Sequence, residues 1–255
     1  MLDTFCVSQS QDVYREQLAR LARAMSSPQW DEVEHKLSAD SDATGVQLFV
    51  EGNLEKRCDK LASQLEFVAG AFDDFPQLVQ AYVDSAPSPA YDTALSDGER
   101  MLGWLQNTRR LTAAQADYIS CQQARHAVEE RARDHRLAHV RFQERYSLVE
   151  KWLADFDAAS PLRLYLNPIR TWTKFISPAL LDESANPPAH VLFFAHNGEI
   201  SSAVLELEGQ ALINELADYQ PCTLAEWAAV SSAGDAAELT EMVRDLATMG
   251  LVALG

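Results

Sequence analysis

Cysteine is scarce and scattered: Cys6, Cys58, Cys121 and Cys222 stand far apart, with no CxxC and no histidine close by. That spacing argues against a disulfide framework or a thiolate metal site and fits reduced thiols in a reducing compartment. At 255 residues the chain needs neither kind of staple to fold. Apolar runs long enough to cross a bilayer are missing, and Met1-Leu2-Asp3-Thr4-Phe5 has no basic segment leading into an apolar one. A cytoplasmic protein is expected. Cations are few as well, 21 Lys and Arg against 38 Asp and Glu, for a net charge of -17. Such a chain repels phosphate backbones and anionic headgroups alike, so neither nucleic acid nor membrane is expected as a partner.

Signatures of chemistry are absent too. The sequence contains no GxSxG, glycine-rich phosphate loop, HExxH or EF-hand pattern. Asp73-Asp74 and Glu129-Glu130 are adjacent carboxylates, but helical neighbours point about 100° apart and do not share a substrate atom. His135 and His139 are spaced to face a metal from one helix, yet lack a third and fourth ligand and stand among charges typical of a solvated face. The expectation is a chain with no catalytic residue, no metal and no cofactor of its own.

What the sequence does contain is pattern. Residues 10–157 read as helical, with Leu54, Cys58, Leu61, Leu65 and Val68 at helical spacing and breaks at Ser26-Ser27-Pro28, at residues 40–45 and at Ser85-Ala86-Pro87-Ser88-Pro89. A long helical stretch, residues 112–156, has no proline or glycine and ends at Asp157-Ala158-Ala159-Ser160-Pro161, taken as a domain boundary. Short strands follow around residues 162–166 and 171–176. Asn197-Gly198 then joins two apolar runs, residues 190–196 and 199–207, as a tight β-hairpin. Three helices come next: residues 210–219, residues 223–231 with Thr223 and Glu226 as a capping box, and residues 235–249, closed by Gly250. The fold class expected is α+β, mostly α: a helical bundle over residues 1–157, then a small winged-helix-like domain of a short antiparallel sheet plus three helices over residues 161–255.

In the hairpin, Leu192, Phe194, Ala203, Leu205 and Leu207 fall on one face and Val191, Phe193, Ala195, Ile200 and Val204 on the other, so both faces are apolar. One is expected to pack on the following helices, the other on the helical domain or on a partner protein, which makes Phe193 a candidate interface residue. The arginines of the long helical stretch are interleaved with Glu129, Glu130, Asp134 and Glu144 at spacings that favour intrahelical pairs. Arg133, Arg136 and Arg141 are the candidates there for docking an acidic partner.

A family resemblance rests on Phe49-Val50-Glu51-Gly52-Asn53-Leu54, Phe75-Pro76-Gln77-Leu78-Val79-Gln80-Ala81-Tyr82, Pro87-Ser88-Pro89, and the helix from Tyr118-Ile119 through Ala127-Val128. Residues 48–132 resemble the helical domain of the partner subunits that accompany multinuclear non-haem iron-dependent oxidative enzymes in ribosomal peptide natural-product pathways, such as the methanobactin partner, with a lean to the 3-thiaglutamate pathway. Departures fall at Val50-Glu51, where the family has Tyr-Arg, and at Arg125-His126, where it has Leu-Glu. The C-terminal layout resembles the peptide-recognition domain of such pathways. The resemblance implies a non-catalytic subunit that binds a precursor peptide by its leader and presents a cysteine-containing core to the companion enzyme, which holds the iron. The leader would add as a strand beside residues 200–207, using Ile200, Ser202, Val204 and Glu206, with Met242, Arg244 and Asp245 on the third helix selecting side chains. The rival reading is a winged-helix transcription regulator, against which stands a single Arg244 facing twelve acidic residues over residues 181–255.

Overall fold

Helical periodicity carries the chain as far as residue 153, and the computed structural model describes residues 43–86, 95–183, 185–231 and 235–255, with residues 43–50 as backbone. The chain divides into two compact units, Met1–Leu111 and Thr112–Gly255. In the first stand α1 (Ala43–Gln64), α2 (Glu66–Ala69), α3 (Phe75–Ser85) and α4 (Asp97–Thr108). Leu61, Leu65, Leu78, Tyr82, Met101 and Leu105 fill its interior. At its centre the Arg57 guanidinium grips Asp97 with two nitrogens, at 2.6 and 2.9 Å, and donates a third bond to the Ala86 carbonyl at 2.7 Å. The Tyr82 hydroxyl donates to Asp97 as well, at 2.8 Å. One side chain thus bonds both Ala86 at the end of α3 and Asp97 at the start of α4. Pro87-Ser88-Pro89, one carrier of the resemblance, lies outside the described residues, as do Cys6 and the break at residues 26–28.

The second unit opens with α5 (Ala113–Asp134), α6 (Arg136–Tyr146) and α7 (Val149–Leu153). The sequence predicts one continuous helix here. Instead the backbone leaves helical geometry at His135, with φ -107° and ψ 31°. Asp134 and His135 are weak helix formers, and the two halves serve different sheets: α5 packs on β2 (Arg170–Phe175) and β3 (Ala189–His196), and α6 on β6 (Val252–Leu254). Because these helices pack on the sheets, they stand with the strands, and the expected boundary at residues 157–161 falls inside the second unit.

The fold is α+β and mostly helical, with two three-stranded antiparallel sheets. One has the order β5-β1-β6, with β1 (Arg163–Leu166) between β5 (Cys222–Thr223) and the terminal strand β6. The other has the order β2-β3-β4, with β4 (Glu199–Leu205) at its edge. Asn197 at φ 50° and Gly198 at φ 81° make the expected turn. The three helices follow as α8 (Leu207–Tyr219), α9 (Leu224–Ala228) and α10 (Ala236–Thr248), and Thr223 and Glu226 form the expected capping box. Leu207 starts α8 rather than prolonging the strand.

One polar residue joins the sheets, and a helix end leads into β6. Asn167, fully buried between β1 and β2, donates its main-chain amide to the Leu251 carbonyl and its side-chain amide to the carbonyls of Ala195 and Gly250, at 2.7 and 3.1 Å. After α10, the amides of Gly250 and Leu251 bond back to Ala247 and Leu246, the paired bonds of a glycine-terminated helix end. Gly250 sits at φ 85°, and a Cβ there would collide with the His196 ring.

The Arg57–Asp97 pair yields a pH test. Burial pushes the Asp97 carboxyl up, but the bonds from Arg57 and Tyr82 and the Arg57 charge outweigh it, so its pKa is lowered. A carboxylate lowered in the folded state contributes stability above its unfolded value of about 4, and that contribution is lost as pH falls through the folded value. Asp97→Asn is expected to cost about 3 kcal/mol at neutral pH. In urea titrations its gap from the native protein should narrow below pH about 4.

Candidate peptide-binding edge

A type I′ loop of two residues makes its flanking residues a hydrogen-bonded pair, and pairing then alternates along the hairpin. His196 with Glu199, Phe194 with Ser201, Leu192 with Ala203 and His190 with Leu205 therefore bond across β3 and β4. The partners left over are Ile200, Ser202 and Val204, opposite Ala195, Phe193 and Val191. Their amides and carbonyls turn away from β3, towards the open side of β4. The same alternation turns Ala195 towards β2, and its amide donates to the Ile169 carbonyl at 3.0 Å.

The other edge of this sheet is held at its two ends. Thr171, Thr173 and Phe175 face β3, so Arg170, Trp172, Lys174 and Ile176 turn outward. α5 holds both ends of that outward row. Asp117, 1 % exposed, accepts from the Ile176 amide at 2.9 Å, from the Ser177 amide at 2.7 Å and from the Ser177 hydroxyl at 2.5 Å. Arg131 donates to the Arg170 carbonyl. Between them lies a cleft of about 240 Å³ lined by Ser120, Gln123, Ala124 and Ala127 of α5 and Thr171, Trp172 and Thr173 of β2.

Both faces of β3 are covered from within the unit. Leu192 and Phe194 pack in the core that also holds Leu164, Leu216, Trp227, Leu246 and Val252. Val191, Phe193 and Ala195 pack under α5 with Cys121, Ala124, Val128 and Phe175. Phe193 is 4 % exposed and stands edge-on to Phe175, so it is a core residue and not, as expected, part of a partner interface. Burial also pushes the Cys121 thiol up to about 11.

The remaining candidates separate. Ser202 is exposed, Val204 is 43 % exposed and Ile200 is half-buried against the α5 cluster. Glu206 is the exposed N-cap residue of α8, and its side chain makes no capping bond. α8 is a helix packed on β4, whereas α10 packs on α9 and β6. Of the α10 candidates, Met242 is half-buried against the main core, Asp245 is exposed, and Arg244 donates to the Phe156 carbonyl at 2.6 Å. Arg244 is thus committed to the main chain.

The intrahelical ion pairs expected for the arginines do not form: among the described residues Arg133, Arg136 and Arg141 are exposed and make no salt bridge. Pairing there would contribute under about 1 kcal/mol. Leu137 beside them is 77 % exposed. Arg145 instead lies over the Tyr165 ring at 4.1 Å. His135 sits at the helix break, His139 bonds Gln143 at 3.0 Å, and no cluster of three metal-ligating side chains occurs among the described residues. No described helix is long and apolar enough to cross a membrane.

Comparison with known proteins gives no match to a family profile, to a curated protein or to a solved structure.

Sequence reasoning missed Asp117, Arg131 and Asn167. Asp117 bonds across 59 and 60 residues, and nothing in its own helix signals that partner. Asp117→Ala leaves two amides and a hydroxyl without an acceptor. It is expected to cost about 3 kcal/mol, with faster hydrogen exchange at Ile176 and Ser177 than in the native protein.

Proposed function

We propose that this protein is a non-catalytic subunit that holds a peptide as an added strand on the open edge of β4 and presents it to a separate enzyme. The observation that carries this reading is the contrast between the two edges: β2 is held at both ends by Asp117 and Arg131, while Ile200, Ser202 and Val204 turn unpaired main chain outward. Strand addition draws affinity from main-chain bonds and selectivity from neighbouring side chains. The order β2-β3-β4-α8-α9-α10 supports reading this region as a winged-helix-like peptide-recognition layout, to which β1, β5 and β6 add a second sheet.

The resemblance of residues 48–132 supports a cytoplasmic pathway of ribosomally made peptides. There the ligand is a precursor's leader, its core carries cysteine, and the companion is an oxidative enzyme that holds the iron. Exposed Arg133, Arg136 and Arg141 are the residues proposed to meet that enzyme. A regulator that binds DNA is disfavoured by charge: over residues 181–255 the one cation, Arg244, is bound to a carbonyl.

Ser202→Pro tests the reading. Proline is tolerated where a strand's amide faces outward, so the fold should survive with an unchanged circular dichroism spectrum and melting point. Purified from the native cells, wild-type protein should bring down a short peptide identifiable by mass spectrometry together with an iron-loaded companion. The variant should keep the companion and lose the peptide at least tenfold. Equal peptide recovery from a folded variant would overturn strand addition.

A further inference from the structure

We infer that the peptide taken by this edge is a short extended segment with a cationic side chain near each end, six residues apart and on one face; this rests on strand addition at β4. The length follows from the strand. β4 runs seven residues, Glu199–Leu205, closed on one side by the Asn197-Gly198 turn and on the other by the start of α8. Only Ile200, Ser202 and Val204 turn outward, offering about six main-chain bonds. A heptapeptide fills that row.

The charge follows from what surrounds the edge. Glu199 opens the strand, and Glu206 and Glu208 follow its end; all three are exposed and none makes a salt bridge among the described residues. No Lys or Arg occurs in β3, β4 or α8 to offset them. Arg170 and Lys174 on β2 are two strands away. A strand laid on β4 thus meets uncompensated carboxylates at both of its ends, and cations there gain while anions are repelled.

Parity fixes the rest. Positions opposite Glu199 and Leu205 are an even number apart, so both side chains share the face of Ser201 and Ala203, the side on which α8 begins with Glu206 and Glu208. Positions opposite Ile200, Ser202 and Val204 share the other face, where half-exposed Val204 leaves apolar surface for β-branched residues to cover. The sequence Lys-Val-Thr-Val-Thr-Val-Lys has this pattern and reads the same in either direction, so it suits parallel or antiparallel addition.

The test is fluorescence anisotropy of the full chain with that labelled, end-capped heptapeptide, with its Glu-for-Lys counterpart, and with a version carrying both lysines at one end. The lysine peptide is expected to bind at least tenfold more tightly than the glutamate peptide and at least threefold more tightly than the one-ended version. The preference should shrink below threefold in E199Q/E206Q/E208Q protein and at high salt. Methylating one alternate set of peptide amides should abolish binding and methylating the other should not. Equal binding of the lysine and glutamate peptides, with that alternation intact, would overturn the charge inference and leave strand addition standing. Binding without alternation would overturn both. If no heptapeptide binds at millimolar concentration the inference falls, and strand addition is then judged by the peptide that wild-type protein captures and Ser202→Pro does not.

Discussion

Strand β3 is apolar on both faces, and a strand of that kind is stable only where both are covered. Leu192 and Phe194 on one side, and Val191 and Phe193 on the other, are each less than 5 % exposed. Burying each such side chain contributes about 1.5–3 kcal/mol, so leaving either face wet would cost about 3–6 kcal/mol, a large part of a typical domain's margin of stability. The second face is covered by α5, a helix that ends more than fifty residues before β3 begins. That one packing requirement draws residues 113–134 into the second unit and aligns them with β2.

Where α5 lies decides which edge of the sheet is held. Its buried stripe, Cys121, Ala124 and Val128, sits over the sheet, and Asp117 and Arg131 at its two ends reach the outward main chain of β2. Nothing comparable guards β4 among the described residues. Edge strands in stable monomers are commonly blunted by lysine, proline or a bulge, and Glu-Ile-Ser-Ser-Ala-Val-Leu contains none of the first two and pairs with β3 without interruption. An edge so exposed, and bordered by unpaired carboxylates, is a surface disposed to accept a further strand. The proposed function rests on that asymmetry.

Much of this was legible from local signals. Asn197-Gly198, the Thr223–Glu226 box and the stop at Gly250 each act within a few residues, and each stands where the sequence places it. Alternation along residues 190–207 marks both apolar faces of the hairpin except at Leu207, which starts α8, and one of the two alternatives for the second face, helical packing within the chain, is the one found. The expected arginine pairs are local and fail because exposed pairs contribute too little to fix them; the larger differences are long-range. A break at His135 is weak as local chemistry and becomes decisive only because α5 and α6 serve different sheets. Leu251-Val252-Ala253-Leu254 reads as an apolar tail until β1 is seen beside it. Phe193 reads as an interface residue because its covering helix lies so far back in the chain, and Arg244 reads as a ligand contact because its carbonyl partner, Phe156, is 88 residues away.

Hydrogen–deuterium exchange of the free protein, read at single amides across residues 199–205, tests the central claim most directly. If β4 is an open edge, the amides of Ile200, Ser202 and Val204 exchange rapidly while those of Ser201, Ala203 and Leu205, bonded to β3, are slow. Uniform protection of all six would mean that something already covers this edge, and would contradict the account.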